Sequence, residues 1–248
     1  MATTPRRTAL FVTCIVDQIY PQVGLASADL LEAQGCEVHV PPGLTCCGQP
    51  AFNAGFRDDA RPVAARTIEA LRGQGDVVLP SGSCAAMIRH GYHELFQETP
   101  YAPLADELAS RTYELTEYLV DVLGVTNTGA QAHGTIAIHD ACHGLRELGL
   151  GSQARVLLGN VRGATVQDLP SCQQCCGFGG LFAVKQRAIS EVMLDEKLAD
   201  ITEVAPDIVV TGDVSCLTQI AGGLSRAKHA TRVLHIAEVL TTREEGSV

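Results

Sequence analysis

Apolar residues in this chain fall into two alternating patterns: short continuous runs, and longer stretches that carry one apolar face. Continuous β-prone runs occupy 8–13, 76–80, 135–139 and 207–211, the second and fourth reading Asp-Val-Val-Leu-Pro and Asp-Ile-Val-Val-Thr. Runs of this length bounded by turn residues predict buried parallel strands, with shorter strands at 37–40 and 164–167. Between them, apolar positions recur with helical period over 62–72 and 184–199, and shorter helices are expected at 24–34 and 152–161. The stretch 104–123 reads as one further helix, with Leu108, Tyr113, Leu115, Leu119, Val120 and Leu123 on its apolar face. Strand alternating with helix predicts an α/β fold built on a mostly parallel sheet flanked by helices.

The pattern occurs twice, and the cysteines mark the register. Cys14 and Cys142 lie 128 residues apart, Cys46 and Cys175 lie 129 apart, and Cys84 and Cys216 lie 132 apart. Each half therefore reads Cys, 31 or 32 residues, Cys-Cys-Gly, 36 or 39 residues, Cys. Two pseudo-symmetric repeats follow, expected as domains 1–129 and 130–248, with the polar, glycine-containing stretch 124–134 as linker. Only Cys36 and Cys172 fall outside the register.

Composition narrows the chemistry. The formal net charge of −10 over 248 residues lacks the basic footprint of a nucleic-acid binder. No apolar run approaches the roughly 18–20 residues that span a bilayer. Arg6 and Arg7 lead into an apolar stretch too short for a secretory signal, so a cytoplasmic protein is expected. In that reducing compartment ten cysteines point to metal binding, redox chemistry or simple burial rather than disulfides.

Ligands of parallel α/β sheets bind beyond the carboxyl ends of the strands. Cys14, Cys84, Cys142 and Cys216 all follow predicted strands, and the Cys46-Cys47 and Cys175-Cys176 pairs add two thiols to each half. Four converging sulfurs make a ligand set for an iron–sulfur cluster or for zinc. Gly48, Gly177, Gly179 and Gly180 let the backbone turn sharply beside them. His139 and His143 flank Cys142, either as auxiliary ligands or second hydrogen-bonding neighbours of a cluster, or as a strand end and a helix cap. Cys36 and Cys172 are read as unliganded, His90 and His93 as helix-surface residues, and Arg146 as a solvated ion-pair partner. No Gly-x-Gly-x-x-Gly lies in a strand-turn-helix context, which argues against a bound nicotinamide or flavin.

The Cys…Cys-Cys-Gly…Cys arrangement resembles the cysteine-rich CCG domain of heterodisulfide reductase. Longer stretches narrow the resemblance to the lactate utilisation protein A family: Phe11-Val12-Thr13-Cys14, Thr45-Cys46-Cys47-Gly48-Gln49-Pro50, Pro80-Ser81-Gly82-Ser83-Cys84, His139-Asp140-Ala141-Cys142-His143-Gly144, Cys175-Cys176-Gly177-Phe178-Gly179-Gly180 and Gly212-Asp213-Val214-Ser215-Cys216. The resemblance implies an iron–sulfur electron-transfer subunit of a system that oxidises L-lactate to pyruvate. It implies as partners a larger ferredoxin-like iron–sulfur subunit and a smaller third subunit. The eight register cysteines are then ligands of one or two clusters per chain, expected as [4Fe-4S], with zinc as the alternative. In heterodisulfide reductase each CCG repeat ends in Cys-x-x-Cys; here Ser81 and Asp213 replace the first cysteine of that pair and stand as auxiliary oxygen donors. Two other readings stay open, a zinc-stabilised interaction module and a thiol–disulfide redox protein.

Overall fold

The computed structural model describes residues 5–243. It divides into two compact units on either side of the Gly124–Val125 junction. In the first, strands β1 (Arg6–Leu10), β2 (Cys36–His39), β3 (Asp76–Leu79) and β4 (Thr112–Glu114) form one parallel sheet in the order β2-β1-β3-β4. In the second, β5 (Gln131–Ile138), β6 (Arg162–Asp168), β7 (Ile208–Thr211) and β8 (Arg232–His235) repeat that topology as β6-β5-β7-β8. The α/β fold with two parallel, helix-flanked repeats is thus the one the sequence pattern predicts.

The central strands are the most apolar. Val77, Val78 and Leu79 of β3, and Val209 and Val210 of β7, are almost wholly buried. Covered on both faces, these aliphatic side chains each contribute about 1.5–3 kcal/mol through burial. The helices Pro21–Ala33 and Arg57–Leu71 supply Leu30, Leu31, Ile68 and Leu71 to the first core. In the second, Ile201 of the helix Arg187–Val204 and Ile220 and Leu224 of Val214–Arg226 pack around Ala137 and Val209.

The strand order contains a reversal. From β1 the chain passes outward to β2, then returns to place β3 on the other side of β1; β5, β6 and β7 repeat this. The crevice beyond the carboxyl ends of β1 and β3, and of β5 and β7, is where the helical connections part and a ligand can enter.

Two expected elements differ: the helix expected over 184–199 is divided at Gln186 into Leu181–Lys185 and Arg187–Val204, and the stretch 104–123 departs further. The stretch 104–123 is not a single helix but the helix Ala102–Ser110, strand β4, the short helix Leu115–Glu117 and a π-helical turn Tyr118–Val122. Thr112 and Tyr113 pair with Val77 and Val78 at the open edge of the sheet, a tertiary demand that overrides the helical period. The Glu114 carboxylate then accepts the backbone N–H groups of Thr116 and Glu117 and restarts the helix. Edge strand β8 was likewise outside the expected elements.

The turns that carry the paired cysteines depend on glycine. Gly48 and Gly177 both adopt left-handed backbone, with φ of 85° and 86°. A Cβ on Gly177 would stand 2.7 Å from the Ser190 carbonyl oxygen, whereas one on Gly48 would stand 3.4 Å from that of Ala60. Gly48→Ala is expected to cost about 1–2 kcal/mol from the left-handed conformation alone. Gly177→Ala should cost more, because its added Cβ would stand 2.7 Å from a backbone oxygen rather than 3.4 Å; the two denaturant midpoints compare them directly, and equal losses would refute the steric difference.

Glu114 is only 2% exposed, and burial pushes its carboxyl up from 4.5 to about 7. A carboxyl raised in the folded state favours folding while protonated, so its contribution is present below 4.5 and lost as pH rises through 7. Between those limits the wild type should lose about 3 kcal/mol of stability relative to Glu114→Gln. Denaturant titrations at several pH values test this, and parallel curves for the two proteins would refute it.

Candidate metal centres

Each crevice receives four sulfurs from three places in its unit. In the first, Cys14 opens the helix Cys14–Ile19 directly after β1, and Cys84 lies in the helix Gly82–Ala86 directly after β3. Cys46 and Cys47 arrive on the loop before the helix Gln49–Asn53. The Cys14 and Cys46 sulfurs are 3.9 Å apart, and those of Cys47 and Cys84 are 3.3 Å apart. Tyr92, fully buried, donates its hydroxyl to the Cys47 carbonyl at 3.0 Å, and Thr67 reaches the Cys46 carbonyl at 3.3 Å. The loop is thereby tied to the helices beneath it.

The second unit repeats the pairing. Cys142 opens the helix Cys142–Glu147 after β5, and Cys216 lies in the first turn of Val214–Arg226 after β7. The Cys142 thiol faces Cys175, and the Cys176 thiol lies beside Cys175 with its sulfur within 4.8 Å of that of Cys216. Cys176 and Cys216 belong to the apolar core of their unit. In both units the glycine after the pair points its backbone N–H at the first sulfur: Gly48 to Cys46 and Gly177 to Cys175, each at 3.4 Å.

The electrostatics follow from crowding. Cys46 accepts from the Cys14 thiol and the Gly48 N–H, and with Cys47 beside it its pKa is lowered, while those of Cys14 and Cys47 are raised. Cys175 is lowered in the same way, while Cys142 and Cys176 are raised. In each unit one thiolate forms easily and its neighbours resist ionising beside it. A group that draws all four into ionised form must bring positive charge and accept soft sulfur ligands, which fits an iron–sulfur cluster or a soft divalent metal.

The auxiliary candidates separate. Ser81 and Asp213 are N-caps: the Ser81 hydroxyl accepts the Cys84 N–H at 3.3 Å, and the Asp213 carboxylate accepts the Ser215 N–H at 2.9 Å. Each holds the first turn of the helix that carries the last cysteine. His143 places Nδ1 3.6 Å from the Cys142 sulfur and Nε2 3.6 Å from Glu147. His139, 1% exposed, lies deeper: one of its ring nitrogens and the sulfurs of Cys176 and Cys216 are all within 4.8 Å of one another. Burial, then the charge of Lys197, pushes its pKa down to about 3 and keeps the imidazole neutral.

Cys36 is buried in β2, and Cys172 lies 3.8 Å from an Arg155 guanidinium nitrogen that also pairs with Asp140 and Asp168. His93 pairs with Asp106 on the surface, and Arg146 donates to the Gln173 carbonyl at 3.4 Å. Lys197 escaped the sequence reading. A lysine within an amphipathic helix reads as solvated, yet it is 1% exposed and donates to Ser171 Oγ at 2.9 Å. No sequence signal distinguishes it.

Among the described residues no helix is long and apolar enough to cross a membrane. The cysteine-rich CCG domain matches the chain twice, over residues 8–89 and 136–221. Lactate utilization protein A of Bacillus cytotoxicus is 44% identical over 96% of this chain and 99% of its own. The protein of that name from Bacillus subtilis strain 168 is 45% identical over 96% of this chain and all of its own length. With both repeats matched and the similarity running almost end to end, the chain belongs to the lactate utilization protein A family, built from two cysteine-rich CCG domains.

Proposed function

We propose that this protein is the iron–sulfur electron-transfer subunit of a cytoplasmic system that oxidises L-lactate to pyruvate. The observation that carries the reading is that both units deliver cysteines to the strand ends where the strand order reverses, with Cys14–Cys46 and Cys47–Cys84 sulfur pairs in the first unit and a Cys176–Cys216 pair in the second. The names of its relatives support a place in lactate utilization. Oxidation of lactate to pyruvate releases two electrons and two protons. Side chains cannot store those electrons, whereas an iron–sulfur cluster takes up and passes on one at a time.

Under this reading Cys14, Cys46, Cys47 and Cys84 hold one cluster, and Cys142, Cys175, Cys176 and Cys216 hold the other, each expected as [4Fe-4S]. The N–H groups of Gly48 and Gly177 stabilise negative charge on Cys46 and Cys175. Buried Cys47, Cys84, Cys176 and Cys216 keep water from one side of each centre. Cys14, Cys46, Cys142 and Cys175 are only partly buried, leaving the other side open to an electron-exchanging partner. The proposed partners are the remaining subunits of the lactate-utilising system, including a ferredoxin-like iron–sulfur protein.

Protein purified without oxygen from an iron-replete host should be brown. It should carry about four iron and four acid-labile sulfide per occupied unit. Cys47→Ser and Cys176→Ser should each remove one unit's share, and the double variant should be colourless. Zinc without sulfide would overturn the reading in favour of a zinc-stabilised interaction module, and iron retained by the double variant would overturn the ligand assignment.

A further inference from the structure

We propose that His139 supplies a nitrogen ligand to the centre of the second unit, so that the two halves of the molecule carry chemically unequal centres. The inference rests on the cluster reading above and changes the donor set of one of its two sites, one iron of the second centre taking the imidazole in place of a thiolate.

The comparison between units isolates the residue. His139 and Phe11 each stand three positions before the first cysteine of their unit. Both follow the last residue of the strand, and both donate a backbone N–H to the neighbouring central strand, His139 to Val210 and Phe11 to Val78, each at 2.9 Å. The backbone position is therefore the same, and both side chains are buried, at 1% and 0% exposure. One is an imidazole and the other a hydrocarbon ring.

A buried imidazole ordinarily satisfies both ring nitrogens, because each lost its hydrogen bonds to water on burial. Neither nitrogen of His139 has a hydrogen-bond partner among the described residues. One of them instead shares a space within 4.8 Å with the sulfurs of Cys176 and Cys216, the ligands at the buried side of the centre. A metal bond to that nitrogen offsets its desolvation. Imidazole replaces thiolate on iron in some clusters. Phe11 brings no such donor, so the first centre rests on thiolates alone.

Ligand identity governs cluster potential, so unequal ligation gives the two centres different affinities for an electron.

The test uses the full-length chain, purified anaerobically with and without 15N-labelled histidine. Hyperfine spectra are recorded in the paramagnetic state reached by one-electron reduction or oxidation, after iron and sulfide analysis. A strong histidine-nitrogen coupling, lost in His139→Phe and kept in His143→Ala, is expected. Its absence from the wild type, its survival in His139→Phe or its loss in His143→Ala would overturn the His139 ligand while leaving the cluster reading intact. Wild-type protein without iron and sulfide would overturn both. Should His139→Phe not fold, the His143→Ala spectrum decides between the two histidines near Cys142 in sequence.

Discussion

Cysteine sulfurs held as close as 3.3 Å, as in Cys47–Cys84, or 3.9 Å, as in Cys14–Cys46, resist ionising together, since each negative charge raises the cost of the next. Here the backbone imposes that crowding through parallel strand pairing. Leu10 of β1 registers with Val78 of β3, and Ile138 of β5 with Val210 of β7. Neighbouring parallel strands stand about 4.8 Å apart and end at the same edge. The first cysteine and the last cysteine of each unit are therefore delivered side by side, however far apart they lie in sequence. The Cys-Cys-Gly turn needs only to close over them, which is why its left-handed glycine and the hydrogen bonds beneath it occur in both units.

Around this repeated frame the two surroundings diverge. The first unit secures its cysteine loop with neutral groups, the Tyr92 hydroxyl and Thr67. The second places a buried lysine on Ser171 and a guanidinium between Asp140, Asp168 and Cys172. The two units thus share the geometry of sulfur delivery and differ in the charged groups around it.

What was readable in the sequence was whatever leaves a periodic or repeated trace. The apolar runs of β3 and β7, the offset between cysteine sets and the glycine after each pair are local patterns, and they place the thiols at strand ends without coordinates. Thr112–Glu114 was hidden because three residues are too few to interrupt the helical period on either side, and only the partner strand makes them extended. Ser81 and Asp213 look like ligand positions by comparison with Cys-x-x-Cys, yet as residues before a helix they are equally good caps, and both roles begin from the same place in the chain. The burial of Lys197 and the depth of His139 depend on packing from elements far away in sequence, for which a single residue type carries no mark.

The containment of each sulfur set within its own unit also bears on the order of assembly. Cys84 is the last thiol of the first set, and β4, the last strand of its sheet, ends at Glu114. The next thiol of the repeat register, Cys142, follows only after the second sheet has begun. On a ribosome, where chains fold from the amino terminus in domain-sized steps, every ligand of the first set emerges before any of the second. The first set of four thiols can therefore gather on its own sheet before any thiol of the second leaves the ribosome, and a fault in the later unit leaves the earlier set complete.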